Sequence, residues 1–203
     1  MKVGIFGGTF NPPHIGHVNM CKLFLERLSL DKVFVIPSSI PPHKQIKSKI
    51  TTEQRIEMSR IAFSSVSSKI EVSDIETKRS GKSYTADTIK EIKALGYDEI
   101  YLLCGSDMLL TLDTWYNPEY IFDNVTIVYL RREDEEETAS LISIKLSEYE
   151  KIFNAKIIHI DTKPLWLSST TVRQAVNNGD DISEMVLPEI LNYIKENNLY
   201  KDE

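Results

Sequence analysis

Cysteines and long apolar runs are scarce in this sequence. Its 203 residues include two cysteines, Cys21 and Cys104, both within apolar segments. Such a pair is typical of small buried thiols, so we expect neither a disulfide nor a cysteine nucleophile. No apolar run reaches the length of a membrane span and no secretory signal opens the chain. These absences predict a cytoplasmic protein with no membrane partner.

The sequence also lacks an excess of basic residues. Its 24 Lys and Arg are outnumbered by 30 Asp and Glu, giving a net charge of −6. A nucleic-acid-binding surface is usually basic, so small-molecule substrates are favoured over nucleic acid. The charge does not decide the oligomeric state, and a homo-oligomer is left open.

Repeats, glycine-serine linkers and low-complexity blocks are likewise absent. With 41% apolar residues, the chain can bury one full core, which predicts a single domain over residues 1–203. Six strand candidates alternate with helices, which predicts an α/β, Rossmann-like, doubly wound and mainly parallel sheet with helices on both faces. The candidates are Val3–Phe6, Lys32–Pro37, Ile70–Ile75, Glu99–Cys104, Val125–Leu130 and Lys156–Ile160.

The first 17 residues, MKVGIFGGTFNPPHIGH, predict a strand, a glycine turn and a helix. Gly7 and Gly8 interrupt the apolar run, and Asn11-Pro12-Pro13 is a helix start signal. A turn without Cβ atoms lets phosphate approach main-chain N–H groups, and the helix N-terminus adds positive charge. The stretch therefore predicts a phosphate site.

His14 and His17 lie beside this turn and share a face if the helix has already begun. Together they indicate phosphate handling, although a single histidine here would be equally well read as a surface residue or a cap. Zinc is a weaker alternative, because no Cys, Asp or Glu lies nearby to complete the ligand set.

Two further helix starts predict ligand contacts. Gly105-Ser106-Asp107 follows an apolar strand, where α/β sheets bind ligands, although Asp107 also suits a first helical turn. Ser168 or Ser169 caps a later helix, and Arg173 one turn on completes an anion site.

Other segments have mainly structural interpretations. Thr51 and Gln54 form a predicted capping box, and Arg55 and Arg60 of the same helix are expected to be surface charges. Ser83 or Thr85 is the expected N-cap of the next helix. Trp115 and Tyr116 fall in a break between helices, where they are either core or a stacking wall for an aromatic ring.

Four motifs together resemble one family. GGTFNPPHIGH is similar to the HxGH motif of nucleotidyltransferases related to class I aminoacyl-tRNA synthetases, most closely the bacterial nicotinate mononucleotide adenylyltransferases. PPHK, SYTADT and SSTTVR resemble further motifs of that family. The resemblance spans nearly the whole chain and is weakest from Glu133 to Ala155.

The resemblance implies roles for individual residues. It places catalytic charge on His14, His17, Lys44 and Arg173. The implied ATP-binding residues are Gly7, Gly8, Thr9, Phe10, Gly105, Asp107, Ser168, Ser169 and Thr170. The implied mononucleotide-binding residues are Tyr84, Thr85, Trp115, Tyr116 and Arg132. Arg132 departs from the family pattern, because Glu133 stands where the family usually has proline.

The implied activity is transfer of AMP from ATP to nicotinate mononucleotide, giving deamido-NAD and pyrophosphate in NAD biosynthesis. Mg²⁺ would be bound mainly through the ATP phosphates, with no protein metal site. Three alternatives stay open: an enzyme acting on the amide or another phosphorylated acceptor, an inactive nucleotide sensor, and an RNA-binding relative of the synthetases.

Overall fold

A computed structural model of the chain describes residues 1–40, 50–130, 136–162 and 167–201. In these ranges the strands are β1 (Lys2–Gly8), β2 (Lys32–Pro37), β3 (Ile70–Val72), β4 (Glu99–Gly105), β5 (Thr126–Leu130) and β6 (Ile157–Ile160). The helices are α1 (Ile15–Arg27), α2 (Thr52–Ser64), α3 (Thr85–Ala94), α4 (Ser106–Leu109), α5 (Pro118–Asn124), α6 (Glu136–Phe153), α7 (Ser169–Asn178) and α8 (Pro188–Glu196), with a 3-10 turn at Leu112–Thr114.

The six strands form one sheet in the order β3-β2-β1-β4-β5-β6. The pairs β1 with β4, β4 with β5 and β5 with β6 are parallel, and Lys2 lies opposite Glu99 in the first of them. This is the doubly wound order of Rossmann-like folds, so the predicted fold class is confirmed. The direction of winding reverses between β1 and β4, the place where such sheets bind ligands outside the carboxyl ends of their strands.

Packing divides the chain into two compact units, which are described separately. The first unit comprises Met1–Gly7, Leu23–Val33 and Tyr84–Trp166; the second comprises Gly8–Lys22, Phe34–Ser83 and Leu167–Glu203. A single nucleotidyltransferase domain over residues 1–203 therefore stays a prediction.

The core of each unit comes from the apolar faces that the sequence pattern indicates. Strands β1, β4 and β5 supply the first unit with fully buried Val3, Leu103, Ile127 and Val128. Helices α2, α7 and α8 supply the second unit with Met58, Phe63, Val172 and Ile190. Because β4 and β5 are buried at nearly every position, they are continuous apolar runs, as expected of parallel strands.

Several boundaries differ from the prediction. Strand β1 continues through Gly7 and Gly8, which were expected to interrupt it, and the Gly8 carbonyl accepts a 2.9 Å hydrogen bond from the Ser38 N–H. Strand β3 ends at Val72 rather than Ile75. Strand β2 has the predicted bounds. The glycines remain extended because the strand's backbone pairing reaches them.

Side-chain capping explains where two helices begin. Thr51 and Gln54 form the predicted capping box of α2, and Ser168 is the N-cap of α7, its hydroxyl accepting the Thr171 N–H at 3.1 Å. The predicted cap of α3 was wrong. The Ser83 hydroxyl accepts the Ser39 N–H at 2.9 Å and does not cap the helix. Tyr84 occupies the N-cap position, and its side chain makes no capping bond.

Candidate active site

The loop from Asn11 to His14, in the second unit, is held by side chains that lie far along the chain. Arg173 Nη1 donates to the Asn11 carbonyl at 2.7 Å, and Ser169 Oγ donates to the Pro12 carbonyl at 2.8 Å. These bonds join residues 162 and 157 positions apart. The structure therefore brings together the HxGH and SSTTVR motifs, which we call, with Gly8–Phe10, the phosphate-loop cluster.

The side chain of Asn11 is fixed as well. Its Oδ1 accepts a 2.8 Å hydrogen bond from the buried hydroxyl of Tyr200, which also lies 3.9 Å from Met58 Sδ. Nothing in the sequence marks Tyr200 as part of this cluster. Its partner is 189 residues away, a separation that local patterns do not encode.

His14 and His17 meet at the start of α1. The His14 carbonyl accepts the His17 and Val18 N–H groups at 2.9 and 3.3 Å, so His14 caps the helix. Its own N–H donates to His17 Nδ1 at 3.2 Å, and the two ring centroids are 3.7 Å apart. Because Nδ1 accepts this bond, the neutral His17 ring carries its proton on Nε2, which is then a donor.

Phe10, rather than a glycine, is the left-handed residue of the loop, with φ of 47°. Its ring is 1% exposed and meets the His17 ring edge-on at a centroid distance of 5.1 Å. A Cβ at Gly8 would come within 2.9 Å of this ring, so Gly8 is required by close packing. Gly7 belongs to the first unit and has open space around its Cα.

Arg55 lies behind the same loop, and its predicted surface position was wrong. It is 1% exposed, and its Nη1 donates to the Thr9 carbonyl at 2.8 Å. Its Nη2 reaches the Ser39 carbonyl at 3.3 Å and Thr52 Oγ1 at 3.1 Å. Burial lowers the pKa of Arg55, an effect that Tyr200 and Glu53 oppose. Helical spacing could have revealed it, since Arg55, Ser59 and Ala62 share the buried face of α2.

The remaining members of the cluster lie at the N-terminus of α7. Thr170 Oγ1 accepts a 3.2 Å bond from Arg173 Nη2, so this arginine contacts both its own helix and the loop. Ser168, Ser169 and Thr170 open the helix, where main-chain N–H groups are available to an anion. Lys44 lies outside the described residues.

The predicted mononucleotide-binding residues that the structure describes lie in the first unit. The rings of Tyr84 and Tyr116 are 4.6 Å apart and tilted by 35°, and Tyr116 is 52% exposed. Thr85 is the first residue of α3, and Trp115 follows the 3-10 turn in the predicted break between helices. We call Tyr84, Thr85, Trp115 and Tyr116 the ring cluster. Arg132 lies outside the described residues.

Asp107 stands on a short but well-supported segment. Gly105 ends β4 and caps α4, and Asp107 is in the first turn. Tyr149 of α6 donates its hydroxyl to the Leu109 carbonyl at 2.7 Å and to Asp113 Oδ1 at 3.1 Å. Burial, together with Asp113, raises the pKa of Tyr149 to about 12.

Asp113 is bound from a second side as well. Lys145 Nζ lies 2.8 Å from Asp113 Oδ2. Burial alone would raise the pKa of Asp113, but the hydrogen bonds from Lys145 and Tyr149 outweigh it and lower that pKa. The α4 segment and the 3-10 turn are therefore tied to α6.

Comparison with known proteins places this arrangement in a family. Residues 5–175 match the cytidylyltransferase-like family. A protein of Caldicellulosiruptor saccharolyticus named "Probable nicotinate-nucleotide adenylyltransferase" is 35% identical over 202 residues, 100% of both chains. A protein of the same name from Borrelia garinii is 34% identical and covers 98% of this chain and 95% of its own. The chain belongs to the nicotinate-nucleotide adenylyltransferase family.

Solved structures agree with this membership at the level of the fold. The nicotinic acid mononucleotide adenylyltransferase of Plasmodium falciparum complexed with NaAD has a TM-score of 0.77 and 21% identity, covering 98% of this chain and 97% of its own. The same enzyme complexed with APC has a TM-score of 0.74 and 20% identity, covering 98% and 96%. The family resemblance that the four motifs predict is thus confirmed.

In the described part of the chain, neither a metal-binding cluster nor a membrane-spanning helix is found. Within the described residues, no group of three or more His, Cys, Asp or Glu side chains is placed to hold a metal ion. No helix in the described ranges is long and apolar enough to cross a membrane.

Proposed function

We propose that this chain transfers the AMP group of MgATP to the phosphate of nicotinate mononucleotide, forming nicotinate adenine dinucleotide and pyrophosphate. A mononucleotide phosphate oxygen attacks the α-phosphorus, and the bond from that phosphorus to the bridging oxygen of the β-phosphate breaks. The observation that carries the proposal is the union of the HxGH loop with the α7 N-terminus through Arg173 and Ser169. It occurs in a chain whose relatives at up to 35% identity bear this activity's name.

The protein has to align the two substrates and stabilise the developing negative charge, because the attacking oxygen is already ionised at neutral pH. Neither a general base nor a covalent intermediate is needed. Charge builds up on the α-phosphate and the departing pyrophosphate. We assign its stabilisation to His14, His17, Lys44 and Arg173, in line with the rule that preorganised donors act where charge develops.

His17 has the clearest supporting geometry. The His14 N–H donates to its Nδ1, so the neutral ring carries its proton on Nε2, which can act as a donor. The edge of the Phe10 ring fixes the plane of the imidazole. A donor held in this way does not need to reorganise when charge appears on the phosphate.

ATP is assigned to the backbone of Gly7, Gly8, Thr9 and Phe10 and to the start of α7. Exposed N–H groups at the N-terminus of this ten-residue helix favour an anion. The Ser169 hydroxyl donates its proton to the Pro12 carbonyl, whereas the Thr170 hydroxyl accepts from Arg173 Nη2 and can still donate, so Thr170 and the backbone are the better candidates for phosphate contact. Gly105 and Asp107 complete the proposed ATP contacts.

Nicotinate mononucleotide is assigned to Tyr84, Thr85, Trp115, Tyr116 and Arg132. The exposed Tyr116 ring gives a flat surface that a pyridine ring could cover. The start of α3 offers N–H groups to a carboxylate, which supports preference for the acid over the amide.

Mg²⁺ enters as part of the MgATP substrate, and we assign it no protein ligand. Mg²⁺ is commonly bound through substrate phosphates with one or two protein carboxylates at most, which supports binding through the nucleotide. A cytoplasmic location with small-molecule partners, and the absence of nucleic-acid binding, complete the proposal.

The test is formation of dinucleotide and pyrophosphate from MgATP with either nicotinate mononucleotide or its amide, measured side by side. We expect strong preference for the acid. Preference for the amide would agree with the proposed mechanism but contradict the assignment of nicotinate mononucleotide as the substrate. Binding of ATP without any product would contradict the proposal and favour a nucleotide sensor.

A further inference from the structure

Helix α2 buries an arginine that the proposed chemistry does not use. Arg55 is among the largest fully buried side chains in the described residues. Its three acceptors, the Thr9 and Ser39 carbonyls and Thr52 Oγ1, are all uncharged oxygens. A guanidinium stays protonated even where burial lowers its pKa, so a positive charge is held directly behind the loop.

The contact with Thr9 controls the most constrained part of that loop. The Thr9 carbonyl belongs to the peptide that precedes Phe10, which is in the left-handed region at φ of 47°. A residue with a side chain keeps this conformation only when its surroundings determine it. Arg55 fixes the carbonyl at 2.8 Å, while Phe63 packs edge-on against the Phe10 ring at 5.6 Å. Both side chains come from α2.

The same contacts extend to His17. The Phe10 ring lies between Phe63 on one side and the His17 imidazole at 5.1 Å. A shift of the Thr9–Phe10 peptide would therefore move the ring that sets the plane of His17. Such a shift would also move the Phe10 N–H, which belongs to the same peptide group. This N–H becomes a stronger donor when the Thr9 carbonyl accepts a hydrogen bond from the charged guanidinium.

We propose that Arg55 is a positioning residue for ATP, holding the Thr9–Phe10 peptide in the geometry that binds the triphosphate and orients His17. This role rests on the proposed adenylyl transfer. Arg55 does not touch the substrate in this account, and it acts through the backbone carbonyl of Thr9 and through Phe10.

The test compares R55M and R55K with R60M. Arg60 is on the same helix but exposed, in an ion pair with Glu57, so R60M is a matched control for loss of one charge from α2. We expect R55M to lower kcat about tenfold to hundredfold and to raise the KM for ATP about fivefold or more, the scale of a loop displaced by about 1 Å. The KM for nicotinate mononucleotide stays within about twofold, since the ring cluster is untouched.

R55K separates geometry from charge. A lysine ammonium is a point charge that cannot reproduce the forked contact with two carbonyls, so we expect R55K to recover only part of the lost kcat. We expect R60M to retain the wild-type kcat and the wild-type KM values for ATP and nicotinate mononucleotide. Equal losses in R55M and R60M, or loss in R55M of kcat alone in proportion to the folded fraction measured by circular dichroism, would overturn the proposal.

A binding measurement keeps this proposal independent of turnover. Calorimetric titration with inorganic tripolyphosphate should show wild type and R60M binding alike and R55M binding at least fivefold more weakly. R55K replaces R55M in this measurement if R55M does not fold. If wild type forms no dinucleotide, the proposed function fails, whereas equal tripolyphosphate affinity in the folded Arg55 variant and wild type overturns the role of Arg55.

Discussion

The phosphate-loop cluster and the ring cluster are built in opposite ways. In the first, side chains from α2, α7 and residue 200 bind main-chain and side-chain oxygens of one loop, and those of Arg55 and Tyr200 are buried. In the second, the Tyr84 and Tyr116 rings contact each other at a tilt, and Tyr116 is half exposed. Donors to a transition state need a fixed position, whereas a stacking surface needs to stay open to its ligand.

The side chains that hold the backbone in place also differ between the two clusters. Arg55 binds the carbonyl of Thr9, a residue of the phosphate loop itself. In the first unit, Tyr149 binds the carbonyl of Leu109 and the carboxylate of Asp113, on the segment between Asp107 and Trp115. A change below the ring cluster is therefore expected to act on stability before it acts on chemistry.

The largest expected effect is in the phosphate-loop cluster. His17→Ala should lower kcat roughly a hundredfold to a thousandfold, the scale of losing one transition-state donor. Steady-state kinetics with saturating MgATP and nicotinate mononucleotide measure it. Unchanged turnover in a folded H17A variant would remove His17 from the mechanism.

The matching change in the ring cluster should affect binding rather than chemistry. Trp115→Ala is expected to raise the KM for the mononucleotide by roughly tenfold, since stacking on an aromatic ring contributes about 1–3 kcal/mol per base. The KM for ATP and kcat should change little. Equal damage to both substrates would identify Trp115 as a core residue and erase the difference between the clusters.

The Tyr149 support can be tested through pH. The folded-state pKa of Tyr149 is raised from 10.0 to about 12, so its contribution to stability is complete below pH 10 and is lost as pH rises toward 12. Urea unfolding of wild type should show the free energy of unfolding falling across this window. Tyr149→Phe should flatten the fall, and an identical slope in Y149F would exclude this hydroxyl as its cause.

The smallest effect is expected from the cap of α7. Ser168→Ala should lower the free energy of unfolding by about 1 kcal/mol, because the Thr171 N–H loses its acceptor. Chemical denaturation measures this. Ser169→Ala is the matched variant, since its hydroxyl bonds the Pro12 carbonyl and should affect the KM for ATP more than stability. A larger change in the KM for ATP in S168A, with a larger loss of stability in S169A, would contradict this assignment of capping to Ser168 and loop positioning to Ser169.

Elements whose signals are local in sequence were predicted well. The bounds of β2, the Thr51 and Gln54 capping box, and the helix break at Trp115 all follow from patterns a few residues long. The alternation of strands and helices likewise predicts the parallel doubly wound sheet, and long motifs predict the family. The signals for the strand bounds, the capping box and the helix break each span only a few residues, although the strands that they predict pair over long distances, as Lys2 does with Glu99.

The errors lie where distant contacts override local preference. Arg55 was expected at the surface because arginine usually lies there, but it is buried by a bond to Thr9, 46 residues away. The turn was expected at Gly7 and Gly8, yet tertiary contacts keep them in β1 and place Phe10 in the left-handed conformation. Residue roles at the two clusters, Lys44 and Arg132 included, stay predictions until the variants are measured.

The bond between Tyr200 and Asn11 has a consequence for synthesis of the protein. Asn11 is translated 189 residues before its side-chain partner. Arg173 and Ser169, which bind the neighbouring carbonyls, are also late. A nascent chain thus contains the residues of β1 and α1 long before those that close its phosphate loop have been translated. We expect the loop to reach its final geometry only after Tyr200 has left the ribosome.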